Sequence, residues 1–161
     1  MTELINFTEM TYGDKMTVLS WRNDDRIRFN MYSTDIIEES AHLDFIESLR
    51  AATDREYFLV RQDGKPLGCI YFTDITEKNA VMGIYAAPDV KGAGRPLMDA
   101  LLSYAFDCLR VEKVTSEVFA DNERARSLYE KYGFTDVSEK TVSGRRVKIM
   151  ELKNKYENSY L

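Results

Sequence analysis

The chain has 161 residues, a hydrophobic share of 44%, a charged share of 30% and a net charge of −5. That is the balance of one ordinary globular domain, long enough to bury a core without disulfides. An acidic chain whose Lys and Arg are interleaved with acids lacks the basic stripe of a nucleic-acid binder, and no apolar run reaches the roughly 18 residues of a membrane span.

The predicted elements run as follows. Residues 4–7 form a short first strand. Residues 14–23 form a helix with Met16, Val18 and Leu19 inward and Trp21-Arg22-Asn23 at its end. A loop through Met31-Tyr32-Ser33-Thr34 leads to a helix near 38–52, where Leu43, Phe45, Ile46 and Leu49 make an apolar stripe. Residues 57–61 alternate as a strand, Asp63-Gly64 turns, and 67–75 return as its partner. The strand 81–87 follows, broken by Pro88. A helix opens at Arg95 and carries Leu97, Met98, Leu101, Leu102, Ala105, Phe106 and Leu109 on its buried face. Residues 113–119 are a strand, Asp121 or Asn122 caps a last helix that Gly133 ends, and 134–137 with 142–152 close as a hairpin around Ser143-Gly144. The expected domain is 1–152, with 153–161 a polar tail. Cys69 and Cys108 sit in apolar runs and read as buried thiols, so neither a disulfide nor a metal is expected. The N-terminus has no signal-peptide pattern, which points to the cytoplasm.

Two segments carry chemistry. The first is Asp89-Val-Lys91-Gly92-Ala93-Gly94-Arg95, a Gly-x-Gly turn feeding a helix N-terminus. Such a turn is an anion cradle, because its amides point outward and the helix dipole favours negative charge. Lys91 and Arg95 add positive charge, so a pyrophosphate is the natural guest. Leu97 stands where a dinucleotide fingerprint needs a third glycine, and the Gly-Lys-Ser/Thr of a Walker loop is absent. The second is Asp121-Asn122-x-x-Ala125-x-x-Leu128-Tyr129-Glu130-Lys131-x-Gly133-Phe134.

Together these segments resemble the GNAT superfamily of acetyl-CoA-dependent N-acetyltransferases. The resemblance implies an α/β, single-domain fold with a central mixed twisted sheet of about seven strands and about four helices. It implies that the amides of Lys91, Gly92, Ala93, Gly94 and Arg95 hold the CoA pyrophosphate and that Ile84, Tyr85 and Ala86 pair with pantetheine as an added strand would. The Tyr85 N–H would polarise the thioester carbonyl, and Asn122 would cap its helix and touch CoA. Tyr129 would protonate the departing thiolate, since a phenol with an ordinary pKa near 10 is a competent donor to a thiol near 8.5. Asp89 stands where many members carry Arg or Gln, so it is expected to point away from phosphate. Glu117, central in its strand, is a candidate base through a water that Thr73 and Asp74 would anchor; an outward-facing structural acid is the alternative.

The N-terminal segments Trp21-Arg22-Asn23, Met31-Tyr32-Ser33-Thr34 and His42-Leu43-x-Phe45-Ile46 resemble one branch, the N-acetyltransferases of pseudaminic-acid biosynthesis. That branch acetylates the C4 amine of a UDP-linked 4-amino-4,6-dideoxy-N-acetyl-altrosamine, on the way to a sugar that decorates flagellin. Arg22 and His42 would then meet the UDP diphosphate, and Met31, Tyr32, Phe45 and Tyr85 would enclose the uracil and deoxysugar. A homodimer is compatible with this reading. A ribosomal-protein-type protein N-acetyltransferase shares the Trp-Arg-Asn start, and a non-catalytic acetyl-CoA-binding domain is a third alternative.

Overall fold

The computed structural model describes residues 1–154. The strands are β1 (Thr2–Asn6), β2 (Glu56–Gln62), β3 (Lys65–Thr73), β4 (Asn79–Ala86), β5 (Lys113–Phe119), β6 (Thr135–Val142) and β7 (Arg145–Lys153). The helices are α1 (Tyr12–Asn23), α2 (Asp25–Arg28), α3 (Glu39–Ser48), α4 (Gly94–Ser103) and α5 (Glu123–Lys131). All strands join one sheet in the order β1-β2-β3-β4-β5-β7-β6. Only β4 and β5 run parallel, because the α4 crossover joins them; every other pair is antiparallel.

Alternation along the strands builds a core on each face. Phe58, Ile70, Phe72, Met82, Val114 and Met150 meet Leu97, Met98 and Leu101 of α4, with Tyr129 and Phe134 at the far end. On the opposite face Leu59, Cys69 and Tyr85 pack against Val18, Trp21, Ile46 and Leu49 of the N-terminal helical region. The N-terminal helices therefore overlie the face on which Tyr85 stands, and α4 lies behind.

Three local features depart from the sequence expectations. Asp24 starts the extra helix α2 by accepting from the Arg26 amide at 2.9 Å, which adds a fifth helix. β6 runs five residues beyond the expected 137, to Val142, as an edge strand that is nearly all exposed. It forms because β7 offers a hydrogen-bonding partner, not because it has apolar side chains to bury. Residues 104–109 continue α4 as a wider π-helical turn, closed by Arg110 at φ 57. The wider turn rotates the helix end, so Phe106 and Leu109 are only half-buried and Cys108 is exposed, contrary to its reading as a buried thiol; Leu102, ahead of that turn, is half-buried as well. Lys153 closes β7 and the Asn154 amide donates to the Glu112 carbonyl at 2.8 Å. The rest of the expected polar tail, residues 155–161, lies outside the described residues.

Candidate active site

The parallel register of β4 and β5 is short. It runs from Asn79–Lys113 to Met82–Ser116 and stops. Beyond it Gly83 to Ala86 stay paired with β3 through Gly68–Ala86, Cys69–Tyr85, Ile70–Ile84 and Tyr71–Gly83, while β5 keeps only its pairing with β7, which runs from Lys113–Lys153 to Phe119–Val147. The two strands splay, and the β5-facing edge of Gly83, Ile84, Tyr85 and Ala86 is left open. A cleft of about 640 Å³ occupies the gap, with Met82 to Ala87, Glu117 to Phe119 and α5 among its walls. An extended amide-bearing chain can pair with such an edge as a missing strand would.

At one end of the gap lies the Gly-x-Gly turn. Gly92 has φ +74, the left-handed region, with open space where a side chain would be. Gly94 answers a different demand: a Cβ there would fall 3.1 Å from Leu128, so this glycine brings α4 against α5. Among the described residues the amides of Lys91 to Arg95 have no acceptor; the first amide bonded back is that of Leu97, to Ala93, at 3.1 Å. These free amides at a helix N-terminus can receive phosphate oxygens. Gly92, Ala93 and Gly94 line the cleft, whereas the side chains of Lys91 and Arg95 do not reach its walls; Arg124 and Lys131 of α5 do. Asp89 is turned away from the turn, with its carboxylate on Arg26 at 3.1 Å.

α5 brings two further residues to the cleft. Asn122 caps the helix by accepting from the Ala125 amide at 3.3 Å. Tyr129, 6% exposed, reaches the cleft from the α4 side with its ring 5.7 Å from that of Phe134. Burial, and then the nearby Tyr71, push the Tyr129 phenol well above its ordinary range, with the Ser116 hydroxyl opposing. The group stays a neutral O–H donor throughout the working pH range.

Glu117 stands on the opposite wall. Its carboxylate accepts from the Tyr32 hydroxyl and pairs with Lys140 at 2.7 Å. Burial raises its pKa, but Lys140 and Tyr32 outweigh burial and hold it below the usual carboxylate range. It is an ionised proton acceptor at neutral pH. The Tyr32 ring rests edge-on against Phe119 at 5.7 Å, and Arg145 lies 3.5 Å above Phe119 while donating to the Phe29 carbonyl at 2.7 Å. The β6–β7 hairpin thus fixes both the loop carrying Tyr32 and the strand carrying Glu117.

The expected acceptor residues separate into two groups. Met31 and Tyr85 line the cleft, and Tyr32 joins it through Glu117. Arg22 lies behind Tyr85, 6.0 Å from its ring centroid, with a buried Nε that has no partner. Phe45 packs edge-on against Tyr57 at 5.0 Å, outside the lining. His42 is not at the cleft: it is buried between α3 and α1, with Nε2 2.8 Å from the Lys15 carbonyl. Burial lowers its pKa, so it is a neutral packing residue rather than a phosphate-facing donor. Thr73 ends β3 opposite Val81 and does not line the cleft, so it is not gathered with Glu117. Sequence reasoning missed Tyr71, Lys140, Arg124 and Lys131. The first two required the strand register, which alternation alone does not supply.

A sheet opened at a parallel pair, free amides at one end of the opening and a buried neutral phenol beside it together define an acyltransferase built for an acyl-CoA thioester. The chain belongs to the acetyltransferase (GNAT) family, whose model matches residues 17–134. It is 39% identical over 135 residues to the acetyltransferase PseH of Campylobacter jejuni, covering 84% of this chain and 85% of that protein. The crystal structure of Campylobacter jejuni N-acetyltransferase PseH in complex with acetyl coenzyme A superposes with a TM-score of 0.81 at 32% identity, over 96% of this chain and 99% of that one. The spermidine N-acetyltransferase of Vibrio cholerae shares the fold, with a TM-score of 0.83 at 22% identity over 94% and 95% of the two chains. The protein is an acetyl-CoA-dependent N-acetyltransferase. No helix among its described residues is long and apolar enough to cross a membrane.

Proposed function

We propose that this enzyme acetylates the C4 amine of a UDP-linked 4-amino-4,6-dideoxy-N-acetyl-altrosamine in the cytoplasm, the acylation that leads toward pseudaminic acid. The observation that carries the proposal is its 39% identity to PseH over 84% of the chain. The acceptor side of the cleft suits such a substrate. Tyr71, Tyr85 and Met31 offer apolar and aromatic surface for a base or a deoxysugar methyl. Behind Tyr85, Arg22 is a half-buried guanidinium with no acidic partner among the described residues, and an anionic diphosphate can supply one. Arg124 and Lys131, with no ion pair among the described residues, flank the CoA end instead. Assembly as a homodimer belongs to the same proposal and is tested by light scattering.

The chemistry follows from the two walls of the gap. The amides of Lys91 to Arg95 hold the CoA pyrophosphate, and the open edge of β4 holds the pantetheine arm. The Tyr85 N–H donates to the thioester oxygen as negative charge develops there, a contact of the kind that lowers a barrier by about 2.7–4 kcal/mol. Glu117 takes the proton of the acceptor ammonium through water. The amine nitrogen bonds to the acetyl carbon, the carbon–sulfur bond breaks, Tyr129 delivers its proton to the sulfur, and the second N–H proton, released as the amide forms, passes through water to restore the Tyr129 phenol.

The deciding assay measures CoA release with the UDP-amino sugar beside a panel of peptides and simple amines. Turnover confined to the nucleotide sugar is expected. Turnover confined to peptides overturns the acceptor proposal and moves the enzyme to the protein-acetylating kind. Arg22→Ala is expected to raise KM for the nucleotide sugar at least about tenfold, the scale of one charge-assisted contact, with KM for acetyl-CoA unchanged.

A further inference from the structure

Tyr71 lies across Gly83. The two residues face each other in the β3–β4 register, and a Cβ built on Gly83 would fall 1.8 Å from Tyr71 Cζ and 2.3 Å from its hydroxyl oxygen. Gly83 is the first β4 residue beyond the stretch paired with β5. The phenol end of Tyr71 therefore stands where the sheet begins to open, on the face covered by the N-terminal helices.

Packing explains the ring. An aromatic covering a cross-strand glycine protects backbone and pins register. The ring stacks on Tyr57 at 4.8 Å and 6°, and tilts against Tyr85 at 6.3 Å. A phenylalanine would do all of this, so the hydroxyl needs another reason. Among the described residues no hydrogen bond engages it, and the buried unpartnered polar atoms are the Nε atoms of Arg22, Arg28, Arg55 and Arg126. The Tyr71 hydroxyl is therefore open to the cleft that its residue lines. Glu117, Arg22, Tyr57 and Cys69 are the ionisable groups that bear on it, and it bears in turn on Tyr129, Tyr32 and Tyr85. It sits electrostatically between the thiolate's proton donor and the amine's proton acceptor. Burial pushes the phenol up to about 12, so it is a neutral hydroxyl at working pH.

We infer that Tyr71 places the acceptor. Its hydroxyl oxygen accepts a hydrogen bond from the incoming amine beside Gly83 and turns the nitrogen lone pair toward the thioester carbon. A neutral phenol with free lone pairs can accept an N–H but does not keep the proton, which passes on to Glu117 through water. Orientation of this kind governs the rate of attack without adding to acetyl-CoA binding. Gly83 then serves two purposes, since any side chain there would evict the hydroxyl from the mouth of the gap. The inference rests on an amine acceptor entering from the Tyr85 side, as in the proposed function.

Tyr71→Phe keeps the ring and removes the hydroxyl. The acceptor kcat/KM is expected to fall at least about tenfold, with acetyl-CoA Kd and Tm unchanged. Tyr57→Phe, which alters the stacked partner outside the cleft, is expected to stay within about twofold of the wild type. A Tyr71→Phe enzyme within about twofold of wild type in acceptor kcat/KM, or one that loses acetyl-CoA affinity to the same degree, overturns the inference. If the wild type acts on peptides alone, the nucleotide-sugar proposal falls, and the same comparison made with the peptide still decides Tyr71. A wild type that acts on none of the amines overturns both.

Discussion

Tyr129 and Glu117 border the same gap with opposite proposed tasks, and their surroundings push their proton affinities apart. Tyr129 is buried, with only the Ser116 hydroxyl easing its ionisation, so it keeps its proton until a stronger base forms beside it. Tyr129→Phe preserves packing against Phe134 and removes that proton. Turnover is expected to fall at least about tenfold with acetyl-CoA affinity intact, as read by steady-state kinetics and calorimetry. Unchanged turnover would leave Tyr129 a core residue. Glu117 is held in its charged form by Lys140 and Tyr32 against the pull of burial. Replacing Lys140 with Met removes the stronger partner and lets burial act. The carboxyl pKa rises, and a base works only when ionised. The acid limb of the kcat/KM profile is therefore expected to move to higher pH in Lys140→Met, while the rate above the limb is retained. In Glu117→Gln the limb should vanish. A limb that does not move in Lys140→Met would show that it reports some other group.

At the scale of elements, the two glycines of the turn have separate duties. Gly94 is required by contact with Leu128, and Gly92 by a backbone angle alone. Substituting Ala at Gly92 meets no neighbour but forces a side chain into the left-handed region, at a cost of about 1–2 kcal/mol. The expected fall in Tm is a few degrees, roughly 2–4 °C per kcal/mol for a chain of this size. Asn tolerates that conformation better, so Gly92→Asn should recover part of the loss. If both variants melt like the wild type, the turn does not need its positive φ. The β6–β7 hairpin shows how an element with no core of its own can still shape the site. β6 is nearly all exposed, yet it carries Lys140 to Glu117, and β7 carries Arg145 to Phe119 and the Phe29 carbonyl.

Across the whole molecule, the strands other than the far half of β6, the longer helices and the turn were legible because each has a local cause. Alternation, a proline break, an Asn cap and a Gly-x-Gly turn are written in neighbouring residues. Tyr129 and Asn122 reach the cleft because their motif fixes their position relative to that turn, and Glu117 because it stands centrally in the strand leading into that motif. What was not legible depends on register and on side-chain burial between distant segments. His42 sits in an apolar stripe, and nothing local says that the Lys15 carbonyl will hold it. Tyr71 gains its place only once Gly83 is known to lie opposite. Lys140 falls in a segment with no apolar alternation, so no strand was expected there.

The splay of β4 from β5 is itself a property of the whole sheet, and it can be tested without an acceptor. Residues 81 and 82 of β4 are paired on both sides, whereas 83–86 are held by β3 alone. A ligand that fills the gap as a missing strand should protect the second set and leave the first unchanged. Bound at about 100 times its Kd, acetyl-CoA would add roughly 2.7 kcal/mol to stability by linkage, a rise in Tm of about 5–10 °C. Hydrogen exchange separates the local effect from this global one, because under native conditions weakly held amides open locally without global unfolding. Amides of 83–86 and the free amides of Lys91 to Arg95 are expected to slow most on adding acetyl-CoA. Equal slowing across the sheet would mean that the ligand stabilises the fold without pairing to β4, and the open edge would then lose its assigned role.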